Sequence, residues 1–441
     1  MRIKIRLTDR ESNVRAMNRV AVVTMVVLAT GAWAQVDGGT PDEPVAAVPA
    51  PAAETPPSFF EIITAELRRL KEELALPAPT YQSFAGMGPA ASKVYFTPRG
   101  LSLGGYGEAY YRFKPTGGPT ETDLLRVVLY MGYRFSDRIV FNSEIEFEHG
   151  STERGGAVSV EFAYLDFKLF DTLSVRVGNV LIPVGFVNEI HEPPFFFGVA
   201  RPQLERSLIP ATWNENGIGL YGEYQGLRYR AYLVNGMRAV GTDRFSDSSW
   251  IRGGRQAGAE AVAENVAGVA AVDYTVQGLR VGASAYFGRS GQGAVVDDSV
   301  VKGDLFLGEV HAAWQYKGFW LRGIMAYGRL GDADRISAAN GVTVGQEVLG
   351  GYAEAAYDVF GLLMPGGDQS LSPFVRYESF DLHKSVAAGS SRDPAQSRQS
   401  VTAGLHYKPI ANVVLKADYQ HVFPGAGGQS STVNLGVGFV F

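Results

Sequence analysis

From residue 100 to its end the chain repeats one pattern: apolar or aromatic residues at every second position, with polar or small residues between them. In "LLRVVLYMGYRF", Leu125, Val127, Leu129, Met131, Tyr133 and Phe135 share one face, and Arg126, Tyr130 and Arg134 share the other. In "IVFNSEIEFEH", Ile139, Phe141, Ile145 and Phe147 oppose Asn142, Glu144, Glu146 and Glu148. A two-residue period is that of a β-strand. Charges at every second residue are expected to face water, since a packed core does not accept them. The pattern predicts sixteen strands, over 101–113, 123–135, 138–148, 158–170, 173–181, 216–225, 227–235, 265–276, 279–289, 304–316, 319–329, 347–359, 371–382, 399–408, 412–422 and 431–441. Strand 158–170 breaks phase: Val158, Val160 and Phe162 lie on one parity, Leu165, Phe167 and Leu169 on the other. A β-bulge near Ala163 repairs it.

Short and long connections alternate along the whole series. "SDR", "DT", "QG", "KG" and "PIA" are tight, whereas "EHGSTERGGA", 182–215, 236–264, "SGQGAVVDDSVVKG" and "KSVAAGSSRDPAQSR" are long; "GLLMPGGDQS" is a short-end turn longer than its peers. An even-stranded meander with tight turns at one end and long loops at the other is the pattern of an outer-membrane barrel. Tyr, Trp and Phe near strand ends (Phe135, Tyr224, Trp314, Tyr316, Phe319, Tyr357, Tyr407) fit its aromatic girdles. The expected fold class is all-β, a transmembrane antiparallel up-and-down β-barrel of about 16 strands over residues 100–441. In the last strand Leu435, Val437, Phe439 and Phe441 face lipid, and a terminal aromatic strand of this kind resembles the assembly signal read by the barrel-insertion machinery.

The first hundred residues read differently. Residues 1–34 form a secretory signal peptide, with Arg19 as basic flank, an apolar run and cleavage after Ala34; the long polar lead makes Met17 the candidate true start. Residues 35–57 are a Pro/Ala-rich disordered linker. Over 58–77, Phe60, Ile63, Leu67, Leu70 and Leu74 make an apolar seam, predicting an amphipathic helix that self-associates as a coiled coil, a candidate trimer, or packs on the barrel. This part is expected in the periplasm. The chain has no cysteine, and 40 basic against 45 acidic residues leave no nucleic-acid footprint. Mean hydropathy is −0.01, because inward and outward residues cancel.

The stretches "LGGYGEAYYRF", "FNSEIEFEHG", "VEFAYLDFKL", "VRVGNVLIPVGFVNEIHEPPFFFGVARP" and "IPATWNENGIGLYGE" resemble the bacterial phosphate-selective porin family (porins O and P), most densely over 101–235. The resemblance implies a sixteen-stranded homotrimeric barrel in the outer-membrane lipid whose third long loop folds into the lumen. That loop, 182–215, carries "HEPPFFFGVARP", too aromatic and proline-rich for a mobile surface loop. Glu189, His191, Glu192, Arg201, Glu205 and Arg206 are its candidate constriction residues, facing the wall arginines Arg112, Arg126 and Arg176. Candidate pore-lining residues are Glu108, Arg112, Arg126, Arg134, Glu144, Glu146, Arg176, Arg228 and Arg230. Inward charges are nearly balanced in sign, a departure from the family's lysine- and arginine-rich lumen.

The expected function is passive diffusion of small hydrophilic solutes or ions, anions such as phosphate among them, with no cofactor and no metal site. A plugged structural or adhesive barrel is the alternative. An outer-membrane enzyme is the second, disfavoured because no G-x-S-x-G or H-E-x-x-H motif occurs.

Overall fold

The computed structural model describes residues 82–150, 155–364 and 366–441; the expected signal peptide, linker and helix over 58–77 lie outside them. Sixteen strands close into one antiparallel barrel, each paired with its sequence neighbours and the last with the first. They are β1 Gly100–Phe113, β2 Glu121–Arg134, β3 Ile139–Glu148, β4 Val158–Phe170, β5 Leu173–Leu181, β6 Asn214–Tyr224, β7 Leu227–Asn235, β8 Val266–Val276, β9 Leu279–Arg289, β10 Asp304–Tyr316, β11 Phe319–Leu330, β12 Glu347–Tyr357, β13 Ser370–Ser385, β14 Ser397–Ile410, β15 Val413–Pro424 and β16 Ser430–Val440. All sixteen predicted strands are present. Three of the tight turns, Gln225-Gly226, Gln277-Gly278 and Lys317-Gly318, have both central residues at positive φ. That is the type I′ geometry that matches strand twist in a two-residue hairpin. The longer turn after β12 holds a short helix, Val359–Leu363.

Alternation assigns the two faces. Leu101, Leu129, Leu220, Leu233, Val310, Leu321, Val375, Leu405 and Leu435 are all exposed on the outside. An apolar belt running round a closed wall has no place in water, and fits a bilayer. In β4 the break of phase is a bulge, placed at Glu161: Glu144 pairs with Phe162 and Ile145 with Val160. The extra residue turns Glu161 and Phe162 inward together. The bulge sits two residues before the predicted position.

The barrel closes where its last strand meets its first. Tyr106 pairs with Val440 and Phe113 with Val433, and Gly105 and Phe441 exchange backbone hydrogen bonds of 3.0 and 2.9 Å. Val433, Leu435, Val437, Phe439 and Phe441 form the outward row. Two glycines on the outer face of β1 seat the terminal aromatics: a Cβ at Gly107 would lie 2.6 Å from the Phe439 ring, and one at Gly105 would lie 2.7 Å from that of Phe441. The terminal phenylalanines therefore cover bare backbone at the closing seam. Gly107→Val should destabilise the folded barrel by about 1–3 kcal/mol and lower the yield of heat-modifiable protein, whereas Ala109→Val, next along the same outward row, should leave both near the parent. Urea unfolding in lipid vesicles measures the difference, and equal behaviour of the two variants would remove the seat from the account.

Candidate functional site

The interior is built around the segment between β5 and β6. Its neck is tied by Asn188, whose amide donates to the carbonyls of Ile182 (2.7 Å) and Trp213 (2.8 Å) and accepts from the Trp213 N–H (2.7 Å). From there the loop 182–213 crosses the lumen. Glu205 accepts from the Val187 N–H (2.7 Å) and from the Tyr352 hydroxyl on β12 (2.6 Å). The Leu204 N–H donates to Glu378 on β13 at 3.0 Å. On β15, Lys416 donates to the carbonyls of Phe196 (2.8 Å) and Gly198 (2.9 Å), and Asp418 accepts from the Val199 N–H (2.6 Å). The loop is thus anchored on both walls, as its composition led one to expect.

A second element inside the barrel was not foreseen. Residues 82–97, immediately before β1, enter at the short-turn end, reach the underside of the loop and return. Gln82 and Ser83 are exposed, while Ala85, Met87, Ala90, Ala91 and Val94 are buried. Gly88 donates its N–H to the Glu189 carbonyl (3.2 Å), and Ala91 donates to the Glu192 carboxyl (3.0 Å). Asn142 on β3 donates to the Ala91 carbonyl at 2.8 Å. Tyr95 donates to Asp166 (2.5 Å), and Phe84 stacks on Tyr95 with ring centroids 4.2 Å apart. Arg134 holds the Thr97 carbonyl at 2.8 Å. The sequence of this segment has neither period, so pattern analysis passes over it.

The wall charges are placed on the inward parity, as predicted, but their surroundings differ from expectation. Glu108, Arg126, Glu144, Glu146, Arg176 and Arg230 are buried and held by other protein groups, whereas Arg112, Arg134 and Arg228 are partly open to water. Arg126 lies 2.8 Å from Glu108 and 2.7 Å from Glu146. Arg176 forms a two-pronged pair with Asp166 (2.8 and 2.9 Å). Arg230 bridges Glu189 and Asp273, and Asp273 also meets His311. Arg322, Glu354, Arg376 and Glu378 form a chain with contacts of 2.7–3.1 Å. Alternating charge along a strand needs polar surroundings, and in this state protein groups as well as water supply them. Arg176 accordingly faces Tyr95 of the pre-barrel segment rather than the loop. Beside the loop, the gap near Pro193, Val199, Lys416 and Gly436 measures about 10 Å³, and so does the gap near Gly86, Phe186, Glu189 and Arg230. Each has room for about one water molecule.

The constriction candidates divide by partner. Glu189 is on Arg230, His191 bridges the Asn188 carbonyl (2.9 Å) and Glu144 (3.0 Å), and Glu192 is on the pre-barrel segment. Glu189, His191 and Glu192 therefore point apart. Arg134 and Arg228 lie at the short-turn end, the latter paired with Glu223 at 2.5 Å. On the long-loop side the balance of charge changes. Among the described residues Arg201, Arg206 and Arg252 have no carboxylate within ion-pair distance. Arg201 is 7% exposed, reaches only the His191 carbonyl (3.4 Å) and leaves its Nε without a partner. Arg252 donates to the Ala211 carbonyl at 3.1 Å, and Arg206 is open to water. Partial burial, with Arg255, Arg206 and Arg201 close by, pushes the Arg252 pKa down to about 9. The protein packed around the base of Arg206, whose side chain still reaches water, lowers its pKa, and Arg201 and Arg112 add to this. Arg112, by contrast, is bonded to Asn434 (3.0 Å) and lies near Glu121. Arg252 belongs to the loop 236–265, which is pinned over the lumen by Trp250 donating to the Gly345 carbonyl (3.0 Å). No periodic signal marks Arg252 in the sequence.

Glu192 carries a readable pH dependence. Burial pushes its pKa up to about 8, opposed by the N–H groups of Ala91 and Ala90 and reinforced by Glu144. A carboxyl in water ionises near about 4.3. The docked segment thus keeps a proton that a solvated Glu192 would lose, so the contact is strongest below the lower value and weakens as pH rises towards the upper one. The protection factors of residues 84–92, exchange corrected for the intrinsic base-catalysed rate, should fall between pH 5 and 9, and Glu192→Gln should flatten that dependence. An unchanged slope in the variant would assign it to another group.

No family model matches the chain. Among solved structures the barrel resembles OmpF of Salmonella typhi, determined as a complex with daunomycin, at 16% identity and TM-score 0.53, covering 77% of this chain and 97% of that one. It also resembles the outer-membrane channel DcaP of Acinetobacter baumannii, at 12% identity and TM-score 0.51, with the same coverage. At these identities the likeness is one of fold. A protein of Aquifex aeolicus (strain VF5), described as an uncharacterized protein, is 41% identical over 368 residues, covering 80% of this chain and 82% of that protein. The chain belongs to the same family as that Aquifex aeolicus protein.

Proposed function

We propose that the chain is an outer-membrane channel for small hydrophilic solutes, with a preference for anions, held closed in the state described. The observation that carries the reading is the group of unpaired guanidiniums, Arg201, Arg206 and Arg252, on the long-loop side of the constriction. Arg206 and Arg252, lowered in pKa by desolvation and by neighbouring guanidiniums, have no carboxylate within ion-pair distance to serve as counter-charge. A mobile anion, phosphate or a small carboxylate, supplies it, and the fork of donors suits either. Arg126 and Arg176 contribute little to such selectivity, because carboxylates already neutralise them. The apolar outer belt and the fold shared with the DcaP channel support the membrane setting. Export by residues 1–34, insertion by the assembly machinery through Leu435, Val437, Phe439 and Phe441, and a homotrimer helped by 58–77 belong to the same proposal, as does the absence of enzyme activity.

The plugged structural barrel remains the second reading, and the narrow gaps beside the loop favour it. Planar-bilayer recording separates the two. Under a salt gradient the parent protein should conduct with a reversal potential on the anion side. Arg206→Glu combined with Arg252→Glu should reduce the anion-to-cation permeability ratio by roughly threefold or more, since fixed charge governs selectivity where a pore is narrow. Arg126→Glu is no substitute test, because it also breaks a buried pair. Selectivity unchanged in the double variant would remove the anion reading, and folded protein that never conducts would leave the structural barrel.

A further inference from the structure

We infer that residues 82–97 are a removable gate: the channel conducts when this segment leaves the barrel and is shut when it is docked under the loop 182–213. The inference rests on the channel reading above. Two elements fill the lumen at mid-height, and they differ in how they are held. The loop is continuous with β5 and β6, knotted at its neck by Asn188 and fixed to the far wall through Glu205, Leu204 and Val199. The segment 82–97 is joined to the barrel only at its β1 end. It pairs with no strand, so it can withdraw without breaking a ladder.

The segment is held by a few polar contacts, Gly88 to the Glu189 carbonyl, Ala91 to Glu192 and Asn142, Tyr95 to Asp166, and Arg134 to Tyr95 and Thr97, and by the small apolar side chains Met87, Ala90 and Ala91 buried against Tyr106, Tyr130 and Phe162. The polar groups can be met by water instead, so withdrawal exchanges these bonds rather than simply losing them. The surface beneath the segment joins a patch of aromatic rings to a larger set of polar groups. Asn142, Tyr164, Asp166, Arg176, Tyr221 and Arg230 would line the vacated space, as the wall of an aqueous path requires. Close fit also shows in Gly88, where a Cβ would come within 2.4 Å of the Glu192 carboxyl. Any side chain there pushes against the docked state.

The chain has no cysteine, so introduced thiols report cleanly. In the full-length protein, Ala91→Cys with Asn142→Cys, joined by a short bis-methanethiosulfonate, locks the segment to β3. Conductance in planar bilayers should fall to a few per cent of the reduced value and return on adding dithiothreitol. Gly88→Glu, which sets a carboxylate against Glu192, should raise open probability several-fold without a cross-linker. Far-UV circular dichroism and heat-modifiability confirm that each variant is folded. Full conductance through the cross-linked protein, or an unchanged open probability in folded Gly88→Glu, overturns the gate while leaving the channel standing. If neither the parent nor Gly88→Glu conducts although both are folded, the channel reading itself fails and the gate falls with it.

Discussion

Sixteen strands enclose more space than their own inward side chains can fill. A barrel of eight can be packed solid from its wall, whereas one of this strand number leaves a lumen. Everything inside this molecule answers that one geometric surplus. The loop 182–213 spans it, the segment 82–97 closes what the loop leaves beneath, and the loop 236–265 roofs part of it with Trp250. Because these fillers are polar backbone as much as side chain, the wall must present donors and acceptors to them. Glu378, Lys416 and Asp418 do so on one side, Asn142 and Asp166 on the other.

The wall itself was legible in the sequence almost strand by strand. Period-two alternation survives wherever one face meets lipid, since a slip by one residue would turn a Leu or Phe inward and a Glu outward. The alternation of short and long connections carried the topology, and the glycines of "QG" and "KG" carried the tight turns. The bulge was legible as a break of phase. It falls on Glu161 rather than Ala163 because Phe162, which shares the parity of the outward Val158 and Val160, faces inward, so the phase changes before it.

The interior was legible only in part. The aromatic, proline-rich loop announced itself by composition. Its partners did not, because pairing across a barrel joins positions far apart in the chain, such as Glu205 with Tyr352 or Val199 with Asp418. Alternating charge was equally ambiguous. A charge beside water and a charge beside its opposite give the same pattern along a strand, and the choice between them for Glu144 or Arg176 is made by elements elsewhere. Residues 82–97 show why one of those elements escaped notice. A segment that fits a polar cavity by backbone hydrogen bonds needs no amphipathic face, and therefore leaves no period to read.

The distribution of unpaired charge then separates what stabilises from what acts. A buried ion pair contributes little net stability, yet losing one partner is costly because the other stays behind uncompensated. Arg126, Arg176, Arg230 and Arg376 all have their carboxylates, so these wall charges are neutralised within the protein. Arg201, Arg206 and Arg252 have none, and folding alone gives no reason to gather like charges on one side of a constriction. Three guanidiniums held together against their own repulsion raise the free energy of the empty channel. In the channel proposed above, a passing anion would relieve that repulsion, most strongly where the walls draw together and water screens least. The same repulsion weakens any cation's approach from that side. Charge that is a liability to the fold is thus the feature that can discriminate among solutes, and it stands where a solute would first meet the loop.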